Sequence, residues 1–319
     1  MLDLISIGIA LVDSIIRGFD PTPVSVAGYR AVSGSLNVGG DAVNEVMAAS
    51  GLGLKSGILC HLGQDEAGDM VIHALERRGI ATDRIIRSGE TPVTTIFLKE
   101  DGTRQSITNE AHRYNFHPEK TPNLFTDSRA LVLGSLFRAP FDDPAIIRSV
   151  LTSAKQAGQT VFADTKIPNF RFLSLSDVRE SLPLIDYITP NEDEARHYTG
   201  KDDPEEMADV FLAHGVRNVI IKLGARGCFL KGADGIFRLP AYPIHAVDAT
   251  GAGDNFLAGF VSSVLRGDAV YDALVFASAC GAICSTAVGA SGALRSRDQV
   301  LEWMKSHSFP SSSDRPKRP

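Results

Sequence analysis

Continuous apolar runs recur along the chain at Leu4–Ala10, Ser56–Cys60, Ala130–Gly134, Thr160–Ala163, Ile185–Thr189 and Asn218–Leu223. Runs of this length and character fit strands buried on both faces, as in a parallel sheet covered by helices. Between them lie segments with helical spacing: Ala42–Ser50, Ala67–Arg78, Pro144–Ala157, Glu192–Tyr198 and Glu205–His214. Strand alternating with helix predicts an α/β fold, a mostly parallel sheet with helices on both faces. The last third changes character: Asn255–Arg266, Tyr271–Val288 and Asp298–His307 predict three helices in succession.

Two stretches break the alternation. Residues 11–35 carry Pro21, Pro23, Gly28 and Gly34 among β-formers. Residues 91–113 hold the run Thr91–Leu98, the pair Asp101-Gly102 and a second run Arg104–Thr108, which is a hairpin pattern. Both predict a small sheet projecting from the main body. Residues 308–319 are rich in Ser, Pro, Lys and Arg and are expected to be a disordered, solvated tail, with a basic interaction tail as the alternative.

The chain has 319 residues, enough for one large α/β domain or two small ones. Apolar residues make up 44% and charged residues 22%, so a core of ordinary size needs no staples. The net charge of −6 argues against a nucleic-acid or an anionic membrane surface as partner. Cys60, Cys228, Cys280 and Cys284 form no Cys-x-x-Cys pair and sit in or beside apolar runs, as expected of buried free thiols in a reducing compartment. Cys280 and Cys284 are one helical turn apart, but no histidine or acidic ligand stands beside them to complete a metal site. No basic leader precedes the first strand and Leu4–Val12 is too short to span a bilayer, so a soluble cytoplasmic protein is expected.

The segment that carries chemistry is Asp248-Ala249-Thr250-Gly251-Ala252-Gly253-Asp254-Asn255-Phe256. Leu257, Phe260, Val261, Val264 and Leu265 follow on one helical face, which places Gly251-Ala252-Gly253 at a helix start. The first N–H groups of a helix lack partners and the dipole is positive there, so small residues at that point make a hole for a phosphoryl group. A carboxylate directly after it, Asp254, is placed to take the proton of an attacking hydroxyl while residues 251–253 hold the developing charge. The plain alternative is a glycine-rich turn whose Asp caps the helix. Upstream, Gly39-Gly40 before a helix permits close approach of a ligand, and Asp13 and Asn44 offer the mix of acceptor and donor that polyols need.

The nonapeptide resembles the C-terminal signature of the ribokinase (PfkB-type) carbohydrate kinase family, commonly Asp-Thr-Thr-Gly-Ala-Gly-Asp-x-Phe. It departs at Ala249 and carries Asn255 after the acid. Gly39-Gly40-Asp41-Ala42-Val43-Asn44 resembles the family's Gly-Gly-x-x-x-Asn segment, and Asp13 matches its sugar-binding acid. The resemblance runs from about Leu4 to Arg297. It implies a ribokinase-like three-layer α/β/α sandwich with a small β lid. The catalytic domain would comprise 1–9, 36–90 and 115–307, with 10–35 and 91–114 as the lid. It implies ATP as donor, with a sugar or sugar acid bound by Asp13, Gly39, Gly40 and Asn44. A homodimer through the lid is the assembly it allows.

Further sites follow from the same resemblance. Asn191 and Glu194, in Asn191-Glu192-Asp193-Glu194, match Asn-x-x-Glu and would organise Mg²⁺ through water. Lys222 and Gly224 match the nucleotide-side turn, and Ser278 stands where many relatives place an Asn facing adenine. Asp248 and Thr250, with the Gly289-Ala290 loop, match a potassium site. After Asp164 many relatives read Asp-Pro-Asn-x-x-Arg; this chain has Lys166 and Arg171, which with Arg138 suggest an anionic sugar, unless they pair with Asp164 or face phosphates. Two rivals stay open: a nucleoside kinase using Tyr29, Phe97, Phe116 and Phe137 around a base, and a binder that keeps the fold without the reaction. A dinucleotide dehydrogenase is disfavoured, since Gly8-Ile9-Ala10-Leu11 after the first strand is not Gly-x-Gly-x-x-Gly.

Overall fold

The structure, a computed structural model, describes residues 1–18, 30–99, 103–109, 116–120, 127–168, 171–290 and 292–310. Tyr29, the Asp101-Gly102 turn, Asn169, Phe170 and the tail from 311 onward lie outside the described residues.

The first half contains β1 (Leu2–Ile7), β2 (Leu11–Arg17), β3 (Ser33–Gly39), α1 (Asp41–Gly51), β4 (Ser56–Leu59), β5 (His61–Leu62), α2 (Glu66–Glu76), β6 (Ile86–Arg87), β7 (Val93–Leu98) and β8 (Arg104–Thr108). The second contains β9 (Ser128–Leu136), α3 (Pro144–Gln156), β10 (Thr160–Thr165), β11 (Tyr187–Ile188), α4 (Glu192–Thr199), α5 (Pro204–Ala213), β12 (Asn218–Lys222), β13 (Cys228–Gly232) and β14 (Gly235–Leu239). Three helices close the chain: α6 (Ala252–Arg266), α7 (Val270–Ser285) and α8 (Arg297–Ser306).

The main sheet has eight strands in the order β14-β13-β12-β11-β10-β9-β1-β4. The six strands from β12 to β4 are mutually parallel, while β13 runs antiparallel to both β12 and β14. Alternate side chains of the central strands serve two cores, because successive residues point to opposite faces. Ile5, Ile7, Leu131, Leu133, Val161, Val219 and Ile221 pack with α3 and α5 through Ile147, Leu151, Met207 and Phe211. Leu4, Ala130, Val132, Phe162 and Ile220 pack with α6 and α7 through Leu257, Phe260, Leu274 and Ala277. This is the expected layered sandwich.

A separate four-stranded sheet, β3-β2-β7-β8, stands beside the main one. Its base is anchored by Val12, buried with Val43, Val46, Val71 and Leu75 of α1 and α2. β3 reaches Gly39, so the small sheet runs into the glycine pair that starts α1. The edge hairpin β13–β14 was not foreseen; the sequence reading stopped at the turn Lys222–Gly227 that precedes it. β1 ends at Ile7, earlier than the apolar run, because the Ile9 N–H leaves the ladder to bond Asp41 Oδ1 at 2.8 Å.

Candidate active site

The site is assembled at the carboxyl ends of β1, β9 and β10, where open α/β sheets place their ligands. Ile7 pairs with Leu133 and Leu133 with Ala163, so the next residues, Gly8, Gly134 and Asp164, come out side by side. α6 begins over this edge. Gly251 has φ +76°, and a side chain there would meet Ala290, so glycine is needed both for backbone conformation and for space. The loop before α6 is tied to residues 289–290. Asp248 accepts from Thr250 N at 2.9 Å and Gly289 N at 3.0 Å, and Asn255 Nδ2 donates to Gly251 O at 2.8 Å and Ala290 O at 2.7 Å. Cys284 Sγ approaches Thr250 O at 3.4 Å in the same knot. The Ala252 N–H is turned inward to Ala249 O at 3.1 Å. Among the described residues, the Gly253 and Asp254 N–H groups find no backbone acceptor. Within the Gly251–Gly253 segment, the Gly251 N–H likewise has no backbone acceptor among the described residues, and only the Ala252 N–H is taken up by the tight turn.

Asp254 is buried, and Asn44 Nδ2 of α1 donates to its Oδ2 at 2.7 Å. The other polar atom of that amide, Asn44 Oδ1, is buried without a partner. Burial pushes the Asp254 carboxyl above its ordinary value; Lys166 pulls it down, and Asp41 and Asp164 push it up. Asp164, fully buried, bonds Lys222 Nζ at 2.7 Å, Lys166 Nζ at 3.2 Å and Thr189 Oγ1 at 2.9 Å. Burial alone would raise Asp164, but the Lys222 and Lys166 ammonium groups outweigh it and hold the carboxyl below its ordinary value. Burial acts to lower Lys166, but Asp164, Asp254, Asp41 and Glu194 surround it and lift it well above the usual lysine range. Lys222 Nζ lies 3.2 Å from where a Cβ on Gly253 would stand, so an ammonium borders the helix start.

Asn191 and Glu194 cap α4 reciprocally: Glu194 N donates to Asn191 Oδ1 and Asn191 N to Glu194 Oε2, both at 2.9 Å. Thr165 Oγ1 also donates to Glu194 Oε2, at 3.0 Å, which ties the cap to the end of β10. Burial and the nearby Asp164 raise the Glu194 carboxyl. On the side of the small sheet, Asp13 projects from β2 toward Gly39. A Cβ on Gly39 would stand 2.5 Å from Asp13 Oδ2, and one on Gly40, whose φ is +97°, would strike Ile9 O. The glycine pair is therefore fixed by packing of the chain on itself as much as by any ligand.

Gly224 is exposed on a turn after β12. Ser278 is half-buried on α7, hydrogen-bonded to the Cys228 thiol. Arg171 pairs on the surface with Asp143 at 3.2 Å, and Arg138 Nε braces Ile167 O at 2.9 Å, so of the three cations only Lys166 faces the buried carboxylates. Phe137 is buried against Tyr198 and Phe116 against Phe141, and Phe116 and Phe141 line a cavity together with Gly8, Ala10 and Ser135. All four cysteines are buried and free. The sequence reading missed two acids. Asp41 accepts from Ile9 N, Ala42 N and the Ser135 hydroxyl, and Glu45 accepts from Ser6 Oγ at 2.5 Å. What marks them is structural: α1 is buried from Asp41 through Ala49, so its charged residues cannot be a solvated face.

The chain matches the model of the pfkB family carbohydrate kinases over residues 1–297, and it belongs to that family. It is 29% identical over 274 residues to the ribokinase of Haemophilus influenzae, covering 84% of this chain and 87% of that protein. It is 28% identical over 292 residues to the probable fructokinase-5 of Arabidopsis thaliana, covering 85% and 89%. The crystal structure of a ribokinase from Thermotoga maritima superposes with a TM-score of 0.81 at 25% identity, covering 96% of this chain and all of that one. The fold is ribokinase-like, and the enzyme is a carbohydrate kinase. Among the described residues no helix is long and apolar enough to cross a membrane.

Proposed function

We propose that the protein transfers the γ-phosphoryl group of ATP to a hydroxyl of a small sugar or sugar acid, with Asp254 as the base. The observation that carries this is the placement of Asp254. It is a buried carboxyl raised by its surroundings, at the N-terminus of α6, beside N–H groups without backbone acceptors. A raised carboxyl is the stronger base, and the helix end beside it stabilises negative charge on the transferring group. Asn44 fixes one Asp254 oxygen and leaves its own buried Oδ1 to accept a substrate hydroxyl. Asp13, Gly39 and Gly40 bring the small sheet against the same edge, where its closure would keep water from competing as acceptor.

The residues present fit Mg²⁺-bound ATP. Lys222 borders the helix start, and Asn191 and Glu194 stand next to it, with Lys222 N bonded to Pro190 O at 2.9 Å. Asn191 and Glu194 would hold the ion through its own waters, and when bound it would neutralise charge on the phosphates. The knot of Asp248, Thr250 and Ala290 fits a potassium ion that stiffens the anion-binding turn. Exposed Leu36 and Ile107 on the small sheet fit a homodimer through that sheet. The test is a panel of sugars, sugar acids and nucleosides assayed for ATP-dependent ADP release. Turnover of a sugar or sugar acid supports the reading, and turnover of nucleosides alone, or of nothing while ATP binds, overturns it.

A further inference from the structure

Glu45 is a buried acid of the reaction centre to which the mechanism above gives no role. It lies in the middle of α1, 1% exposed. Room for its carboxyl is made by a glycine inside β9: a Cβ on Gly134 would stand 3.0 Å from both Glu45 oxygens and 3.2 Å from Asp41 Cγ. The nearest carboxylate oxygens of Glu45, Asp164 and Asp254 all lie within 4.8 Å of one another. Facing Glu45 are Ser6 from β1, Asp41 from its own helix, Asp164 from β10 and Asp254 from α6, with Lys166 and Lys222 paired to Asp164. Ser6 Oγ bonds Glu45 Oε2 at 2.5 Å, and Glu45 Oε1 is buried without a partner.

Carboxyls this close in a low-dielectric pocket do not all ionise together. Asp164 is held charged by two ammonium groups and a hydroxyl. Asp41 accepts hydrogen bonds from two N–H groups and the Ser135 hydroxyl. Asp254 has Asn44 and the field of Lys166. Glu45 has one hydroxyl and an orphan oxygen, so it is where a proton costs least. A divalent cation among these three acids is the other way to neutralise them, but both Asp164 oxygens already carry ammonium groups, which would repel it.

From this geometry we infer that Glu45 is a positioning residue that carries a proton in the working enzyme, keeping the reaction centre free of one more negative charge so that Asp254 can ionise and a phosphoryl group can approach. The inference rests on Asp254 as the base. Ionisation of Glu45 at alkaline pH then opposes the incoming phosphates, so kcat/KM declines on that side. Burial, followed by Asp41 and Asp254, raises the Glu45 carboxyl well above its ordinary value, in keeping with this role. Because the folded form holds the proton more tightly than the unfolded chain, stability from this group is full below the ordinary Glu value. It is lost as pH rises toward the folded value.

The test pairs wild type with Glu45→Gln, an isostere that cannot ionise. Infrared spectra of the wild type should show a protonated-carboxyl band at about neutral pH, well above the ordinary Glu range, that is absent from Glu45→Gln. The ratio of kcat/KM at about pH 9 to that at about pH 7 should rise about tenfold in the variant, and its Tm advantage over wild type should grow with pH. No protonated band in the wild type at neutral pH overturns the inference, and that measurement needs no variant to fold. Superimposable pH profiles overturn it too, as does a folded, ATP-binding Glu45→Gln enzyme without turnover, since a required charge at 45 means metal or base chemistry there. Failure of the base reading is distinguishable: Asp254→Asn would keep its turnover while the Glu45 band persisted.

Discussion

Replacing Lys166 by Met removes the positive charge that acts most strongly on the proposed base. The side chain is 23% exposed, and its Nζ lies 3.2 Å from Asp164 Oδ2. Asp164 is not stranded by the change, because Lys222 remains at 2.7 Å and Thr189 at 2.9 Å. The stability cost should therefore stay at about 1–2 kcal/mol, below the ~3–5 kcal/mol of a buried charge left alone. The effect on Asp254 is electrostatic. A nearby ammonium favours the ionised carboxyl, and Lys166 divides that influence between Asp164 and Asp254. Without Lys166 the Asp254 carboxyl rises further. Since the base must be ionised, the acid limb of kcat/KM moves to higher pH, with a loss of about tenfold on the low-pH side. The assay is kcat/KM against pH for matched pairs of a neutral sugar and its carboxylate analogue. The same limb shift on both members is the predicted result. An unmoved limb refutes the reasoning, and a loss confined to the acids shows instead that Lys166 reads substrate charge.

Two other perturbations probe the turn that holds the site. Asn255→Leu keeps the bulk but removes one of two donors from the Gly251 and Ala290 carbonyls, which retain the Asn255 N–H and the Cys284 thiol, so Tm should fall with about 1–3 kcal/mol of lost stability, at ~0.5–1.5 kcal/mol for each hydrogen bond, and KM for ATP should rise. Unchanged stability would show that the knot does not brace the helix start. Turnover should be faster in potassium than in a buffer whose only cation is a bulky amine, and equal rates would refute an ion among Asp248, Thr250 and Ala290.

The sequence made the layers legible because each central strand is apolar on both faces, and period alone separates Ile5 and Ile7 from Leu4. It made Asp254 legible because glycine, alanine and a carboxylate stand together at a helix start. It could not say that Asn44, distant in sequence, would hold that carboxylate, though its own glycine-rich motif marked it as a candidate. The hairpin β13–β14 escaped for a local reason: Ala233 and Asp234 link strands whose outer edge alternates between exposed and buried, as at Ile236 and Leu239. Asp234 is fixed by Asn218 across the sheet, at 2.9 and 3.0 Å, which no local pattern reveals. Lys166 was read either as a charge for an anionic substrate or as a partner of Asp164, and the structure pairs it with Asp164. Its pairing with Asp164 depends on β10 lying between β9 and β11, and that order is set by the fold as a whole. Asp41 and Glu45 were passed over because a helix N-terminus with two acids looks like ordinary dipole chemistry until α1 proves to be buried.

The central claim is that Asp254 takes the proton of the acceptor hydroxyl. The direct measurement is single-turnover phosphoryl transfer by Asp254→Asn, with ATP affinity measured alongside on the same preparation. The side chain keeps its size and can still pair with Asn44 through its amide, so fold and ATP binding should be retained. The rate should fall by ~10²–10⁴-fold, the contribution of a positioned base. A variant that binds ATP normally and still transfers phosphate at more than about half the wild-type rate would contradict the account.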